Sequence, residues 1–386
     1  MKIAIIDPLG GHGGLHYYVD GLATGLQKAG VETTVFTTGE TAPSGREPYR
    51  VIIAFQGLFG NEPRVLRGLR FLRGMTKAVF SARKEGCQIA HFHSFHGNML
   101  ELFGVALARA SGMQVVLTLH DIESLVRPGA AVGRRLMLQL SAAIIVHNAF
   151  SRDQLALVVR SYNTRNAVFV IPSGHYVAQF SDVPDRCKAR AKLGLPHDKT
   201  IFLFFGNPRL EKGLDLLLRA MNVFSNESRV TLLVAGKMKP EQQVLYHKII
   251  DEEGISSRLR IDAGHVSDED IKSYYAAADL VVVPYRRVYD SAVTVMAMSF
   301  GRAVLVSNLP PLVEVTANGA YGLLFASEDT DDLSRALRQA FDGREALDQI
   351  GARAKDRVVT ERSWDRIGAQ TAMVYKRISE PHSEQD

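Results

Sequence analysis

Short runs of apolar and β-branched residues alternate with helical segments along this chain, and that rhythm limits its fold more than any other feature. KIAIID leads through a glycine-rich turn into a helix expected from Tyr17 to Ala29, and ETTVFTT follows. YRVIIAF, QIAHFHSF, QVVLTLHD, AAIIVHN and AVFVIPSG continue the series, each ending in polar residues or glycine. Such runs suit parallel strands covered by helices on both faces. HYVAQFSDVPDRCKARAKLGLPHDKT, rich in charge and turn formers, then breaks the pattern. A second series, IFLFFG, VTLLVAG, LRIDAG, LVVVPY and AVLVS, follows with helical segments such as GLDLLLRAMNVF between them. The expected fold is α/β, with two doubly wound, Rossmann-like domains at 1–172 and 191–364 and a linker at 173–190. Residues 365–386 are expected to form a helix that crosses back to the first domain and ends in a polar tail. At 386 residues, 46% of them hydrophobic, the chain exceeds one ordinary core and suits two. Ligands of open α/β sheets bind beyond the carboxyl ends of the strands, so the active site is expected between the domains.

Several classes are excluded. There is no fixed-period repeat or low-complexity tract, and no apolar run approaches the roughly 18 to 20 residues that span a bilayer. MKIAIID reads as a buried strand with no secretion signal before it, and Cys87 and Cys187 lack metal or disulfide spacing. A cytoplasmic setting is expected. Net charge is only +5, but Arg64, Arg67, Arg70, Arg73, Lys77, Arg83 and Lys84 fall in one stretch without an acidic residue. On a helix, Arg67, Arg70, Arg73 and Lys77 share a flank, and Val65, Leu69, Phe71, Leu72, Met75 and Val79 gather on the other. Residues 64–84 are thus either a solvated face over a core stripe or a contact for an anionic membrane surface, which would make the protein peripheral at the inner face. Nucleic acid is not expected as a partner, because no aromatic platform accompanies the charge.

FFGNPRLEKGLDLLLRAM carries the sharpest chemistry: a strand, a turn with Arg209 and Lys212, then Gly213 and a helix. Unpaired N–H groups at the helix start and two cations invite a phosphate. Taken alone, the same residues also fit an exposed basic turn. LLVAG, DAGHVSDEDIKSYYAAADLVVVPY, AMSFGRAVLVS, LVEVTANGAYGLLF and the SW at Trp364 follow in order. With these segments, nearly the whole chain resembles the retaining GT-B glycosyltransferases of family four. The resemblance implies that the series Gly206, Arg209, Lys212, Gly213, Leu214 and Asp215 holds the diphosphate of a GDP- or UDP-sugar. It counts His265 and Val266 among the donor-binding residues. It implies no separate cofactor and no metal, the nucleotide diphosphate sugar being the substrate, and a glycan or lipid-linked acceptor.

GGHGGLHYYVDGLATGLQKAG resembles the family's glycine-rich first loop, with Gly13 and Gly14 allowing backbone to approach the donor. A plain flexible turn is the other reading, since this is not the dinucleotide fingerprint in its usual setting. His91, His93, His96, His120, His147 and His175 crowd the first half, but no pair has the helical spacing of a zinc site, and His91 and His93 share one strand face. Of these, His120 in LTLHDIE matches the family histidine that reaches the transferred sugar and donor phosphate. A neutral imidazole there could donate a hydrogen bond, and an imidazolium could offset leaving-group charge. Asp121 reads as a cap or turn residue.

One segment departs from the family. Where the family has two glutamates with seven residues between them after the strand LVVVPY, this chain has Val288 and Met296. Asp290, Ser291 and Ala292 at the next helix start remain as sugar-facing groups, with Asp290 open as a simple N-cap. The resemblance implies transfer in which the β-phosphate takes the acceptor proton, so no protein base is assigned. A non-catalytic nucleotide-sugar subunit stays as an alternative, as do an epimerase and a phosphorylase of the same fold.

Overall fold

The computed structural model describes residues 1–11, 14–39, 45, 47–60, 62–95, 97–123, 131–161 and 167–380. Gly13, His96 and the expected polar tail at 381–386 lie outside the described residues. The chain divides into two compact units, one comprising Met1–Gly174 and Arg362–Asp386, the other His175–Glu361.

Unit 1 holds a seven-stranded, wholly parallel sheet. Its strands are β1 (Lys2–Ile6), β2 (Glu32–Thr38), β3 (Arg50–Phe55), β4 (Ile89–Ser94), β5 (Gln114–Leu119), β6 (Ala143–Val146) and β7 (Ala167–Val170). The order is β3-β2-β1-β4-β5-β6-β7, so the topology reverses between β1 and β4. The inner strands are buried along nearly their whole length, which is why their sequences read as continuous apolar runs rather than alternating ones.

The C-terminal helix Trp364–Ser379 packs on the first helix, Leu15–Lys28, and backbone touches backbone there. A Cβ on Gly25 would overlap the Trp364 carbonyl, one on Gly368 would overlap Gly25, and one on Gly21 would strike the Trp364 ring. The helix also reaches the sheet, where Tyr375 lies 2.6 Å from His91 Nδ1 on β4. Lys28 and Asp365 pair at 2.8 Å on the outside, and solvent leaves that pair little weight beside the buried packing.

The basic helix spans Arg64–Lys84, and its sides differ from the sequence expectation. Val65 and Leu69, expected over the core, are 75% and 58% exposed. Close packing begins only at Gly74, where a Cβ would meet the Phe55 ring, and continues through Met75, Ala78, Val79 and Ala82. Arg70, expected on the solvated flank, instead donates to the Gly57 carbonyl at 3.1 Å and pairs with Glu62. Lys77 donates to the Ile53 carbonyl at 3.0 Å. The reason lies in packing: the buried residues of the helix run from Gly74 to Ala82, and its first turns contribute none.

Unit 2 repeats the plan with β8 (Thr200–Phe205), β9 (Val230–Ala235), β10 (Leu259–Asp262), β11 (Leu280–Val283), β12 (Ala303–Ser307) and β13 (Leu323–Phe325). The order is β10-β9-β8-β11-β12-β13, all parallel, reversing between β8 and β11. Phe202, Phe204, Leu217, Leu232, Val234, Leu280 and Leu305 share one core with helix residues such as Leu333 and Leu337. Buried Arg190 anchors the helix Arg186–Leu193 to this unit, donating to the Ala277 carbonyl at 3.1 Å and to Asp279 at 2.7 Å. Its charge is tolerable because its donors are matched by acceptors.

Substituting Gly368→Ala should force the two contacting helices of unit 1 apart and cost about 1–3 kcal/mol, the usual range for overpacking. The urea midpoint of unit 1 measures it; an unchanged midpoint would mean that the close approach carries no stability.

Candidate active site

Each sheet presents its topological switch point, where open α/β sheets bind ligands, at the end of its first strand. In unit 1 the chain leaves β1 through Asp7, whose carboxylate accepts from the N–H groups of Leu9 and Gly10, both at 3.0 Å. Asp7 is 1% exposed. Burial pushes its carboxyl up to about 6 although those donors, with Thr37, favour the charged form. The loop ends at Gly14, which caps the first helix at φ 79°, a left-handed conformation that glycine adopts without strain.

Beside this loop, β4, β5 and β6 carry a file of imidazoles. His93 pairs in register with Thr118, and Thr118 with Ile145, so His120 and His147 stand two residues further along on the same face. His93 Nδ1 lies 3.1 Å from His120 Nε2, and His120 Nδ1 lies 3.1 Å from His147 Nε2. His147 Nδ1 lies 3.0 Å from the Ile171 carbonyl. Phe95 stacks on half-buried His120 with centroids 4.8 Å apart, and Tyr18 meets it edge-on at 4.8 Å. Burial, with the neighbouring imidazoles, holds His93 and His120 well below the ordinary imidazole range, and burial lowers His91 to about 3. His120 is therefore neutral near pH 7 in the ligand-free protein. Both of its ring nitrogens are engaged within the protein. Asp121 serves as a turn residue, accepting from the Glu123 N–H at 2.8 Å.

In unit 2, β8 ends at Gly206 with φ 101°, and Asn207, Pro208 and Arg209 lead into a short turn, Leu210–Lys212, closed by Gly213 at φ 64°. A Cβ on Gly213 would overlap the Pro284 carbonyl, so only glycine lets this turn lie against the segment after β11. Tyr246 and Gln242 hold the Pro208 carbonyl at 2.8 and 2.9 Å, fixing the turn from behind. Arg209 is exposed and has no ion pair among the described residues. Lys212, half-buried and likewise without an ion pair among them, folds back over Gly206 and lies 5.5 Å from the Tyr285 ring centroid. Two cations thus flank a helix start without a neutralising carboxylate. Leu214 opens the helix Leu214–Ala220 as a buried core residue.

Asp215 is committed elsewhere. It forms a two-pronged pair with Arg286, both contacts 2.7 Å, and Arg286 also donates to the Leu210 carbonyl at 2.9 Å. This clamp ties the cationic turn to the loop after β11. The sequence reading misses Arg286, since a partner 71 residues away has no local signature.

That loop leads to the helix Ala292–Ser299, and of the two readings left open for Asp290 the N-cap one does not hold. The cap is Ser291, whose Oγ accepts from the Thr294 N–H at 3.2 Å. Asp290 sits one residue too early to reach the helix N–H groups, and its carboxylate has no hydrogen bond or ion pair among the described residues. Ala292 is exposed, and Val293 of the same turn lies beside Gly206. Met296, at one of the absent-glutamate positions, is buried in the helix, while Val288 is half-buried in the loop. His265, exposed, and Val266, half-buried, follow edge strand β10. Among the described residues, no group of three His, Cys, Asp or Glu side chains is disposed to hold a metal ion, and no helix is long and apolar enough to cross a membrane.

Comparison with known proteins agrees with this arrangement. The family model described as glycosyl transferases group 1 matches residues 185–357, and that described as glycosyltransferase family 4 matches residues 12–177. A D-inositol 3-phosphate glycosyltransferase from Streptomyces avermitilis is 26% identical, over 97% of this chain and 85% of its own. An uncharacterized glycosyltransferase from Methanocaldococcus jannaschii is 25% identical, over 97% and 98%. Among solved structures, sucrose-phosphate synthase from Thermosynechococcus elongatus has a TM-score of 0.77 at 22% identity, covering 98% of this chain and 99% of that one. Anabaena HepE in complex with UDP-glucose has a TM-score of 0.74 at 19% identity, covering 98% and 100%. The shared fold is GT-B.

Asp7 sets a pH dependence for unit 1. Its folded pKa, about 6, lies above the unfolded value near 3.8, so its stabilising contribution is complete below pH 3.8 and lost as pH rises through 6. Asp7→Asn lacks that titration, so its stability relative to wild type should rise by up to about 3 kcal/mol between pH 3.5 and 7, taking about 1.4 kcal/mol per pKa unit. Urea unfolding at both pH values checks this, and a difference independent of pH would refute the assignment.

Proposed function

Since the chain belongs to glycosyltransferase family 4, we propose that it is a retaining enzyme that transfers a hexose from a nucleoside diphosphate sugar to a glycan or lipid-linked acceptor. The observation that carries the reading is the pair of unneutralised cations, Arg209 and Lys212, at a glycine-shaped helix start on the switch point of unit 2. A diphosphate supplies the charge this turn lacks, Arg209 gripping two oxygens and Lys212 acting as a point charge. UDP-glucose, the ligand of the HepE complex, has that chemistry, as does a GDP-hexose such as GDP-mannose.

In the proposed reaction the bond from the anomeric carbon to the β-phosphate oxygen breaks, and the acceptor oxygen bonds to that carbon from the same face. The acceptor proton passes to a β-phosphate oxygen. Charge accumulates on the leaving diphosphate, so the two cations and the nearby N–H groups contribute most in the transition state, without a divalent ion. Asp290, beside the Ser291 cap and without a hydrogen bond or ion pair among the described residues, accepts from a sugar hydroxyl in this reading. His120 contributes to transfer rather than to nucleotide affinity.

The absent glutamate pair favours one competing reading, a subunit that binds nucleotide sugar without turning it over. Slow release of nucleoside diphosphate from a bound donor separates the two, since only an enzyme produces it.

Arg209→Ala and Lys212→Ala should each lower kcat/KM about a hundredfold or more while leaving thermal unfolding unchanged. Wild-type transfer by both variants would remove the phosphate role.

The membrane part of the proposal rests on the first turns of the basic helix, where Arg64 and Arg73 lie exposed beside Val65, Leu66 and Leu69. Cations next to uncovered apolar side chains fit an anionic interface better than bulk water. Wild type should sediment with anionic vesicles at 0.1 M salt and be released toward 1 M, as the Debye length falls from about 10 to 3 Å. Arg64→Glu with Arg73→Glu should abolish binding and leave transfer to a water-soluble acceptor intact. Indifference of wild type to anionic vesicles at low salt would withdraw the membrane contact and the lipid-linked acceptor with it.

A further inference from the structure

The three strand-end histidines of unit 1 form a chain whose hydrogens can be placed one after another. It starts at the Ile171 carbonyl, 3.0 Å from His147 Nδ1. A carbonyl only accepts, so His147 Nδ1 bears hydrogen, and in the neutral ring Nε2 is left as an acceptor. His120 Nδ1, 3.1 Å from that nitrogen, must then donate. His120 Nε2 in turn holds a lone pair, and His93 Nδ1, 3.1 Å away, donates to it. The chain ends at His93 Nε2, which is buried and has no hydrogen-bond partner among the described residues. A charged His147 would keep its bond to the Ile171 carbonyl but reverse the two bonds between the imidazoles, burying a cation together with an unpaired N–H at His93, which costs more than a bare lone pair.

From this geometry we infer that His93 and His147 are positioning residues that hold His120 as its Nδ1–H tautomer, so that His120 meets a substrate hydroxyl as an acceptor through Nε2. Phe95 against the ring face and Tyr18 against its edge complete the restraint. A hydroxyl that donates to Nε2 displaces the His93 N–H, one donor replacing another, and the tautomer is preserved. A phosphate oxygen cannot make that exchange, because it accepts and Nε2 offers no hydrogen. The group that His120 recognises is therefore a hydroxyl of the transferred sugar or of the acceptor, not the diphosphate.

The tautomer stands on the hydrogen-bond chain alone, whereas its use on a substrate hydroxyl rests on the proposed glycosyl transfer. Long-range proton–nitrogen correlation spectra of the full-length 15N-labelled protein at pH 7 read the tautomer directly, with ring signals assigned from single His→Ala variants. Wild-type His120 should show a protonated Nδ1 and an unprotonated Nε2; a protonated Nε2 would overturn the inference without any variant. His147→Phe removes the acceptor and should shift His120 toward the Nε2–H form, while His147→Gln, whose amide oxygen can accept, should keep Nδ1–H. An unchanged His120 spectrum in a folded His147→Phe protein would equally overturn the positioning role. With a donor in hand, His147→Phe should lower kcat by about tenfold with donor KM within about twofold, and His147→Gln should recover most of the loss. Equal kcat in wild type and His147→Phe would sink the catalytic use of the tautomer. Absence of turnover with every donor would sink the transfer reading and leave the spectral result to decide the tautomer.

Discussion

Both sheets begin in their middle, and the rest of the chemistry follows from that. β1 pairs on both sides, with β2 and β4, and β8 pairs with β9 and β11. A first strand flanked in this way must send the connections on its two sides in opposite directions, and a crevice opens at its carboxyl end. Peptide N–H groups and helix starts are concentrated there. Whatever the chain places directly after β1 and after β8 acquires a binding position from topology. In unit 1 those groups are the buried Asp7 and a glycine-ended loop, with the histidine file on the next strands. In unit 2 they are Gly206, the cationic turn and Gly213.

Glycine then decides how close the parts come. Gly213 lies against the Pro284 carbonyl, and a Cβ on Gly236 would overlap the Gly206 carbonyl, so the loops at this end of unit 2 meet through backbone rather than side chains. Side-chain volume is thereby kept out, and neither Arg209 nor Lys212 forms an ion pair with a carboxylate among the described residues. The Asp215–Arg286 clamp acts in the same sense: it occupies the Asp215 carboxylate with another arginine, at two contacts of 2.7 Å, and Lys212 has no counter-ion among the described residues.

What the sequence discloses and what it conceals divide along the range of the interaction. Strands such as Val230–Ala235, buried on both faces, are legible because each residue carries the signal. Leu323–Phe325 is too short to stand out from its turn. The cationic turn is legible because its glycines and its two cations are neighbours in sequence. The Asp215–Arg286 clamp is not, because 71 residues separate its ends. The basic helix misleads for a similar reason: periodicity gathers Val65 and Leu69 with Met75 and Val79, but only tertiary packing determines where their shared flank finds a core. The histidines are visible at the strand ends, yet their order as one hydrogen-bonded file depends on a register that no single strand contains. Ser291 takes the cap from Asp290 by one residue, a distance finer than sequence pattern resolves.

The central claim is that the turn from Gly206 to Gly213 holds a diphosphate. A crystal structure of the full chain with a UDP- or GDP-hexose bound tests it most directly. The account predicts the β-phosphate at the start of the helix Leu214–Ala220, within hydrogen-bond reach of both Arg209 and Lys212. A nucleotide whose diphosphate lies away from both cations would contradict it.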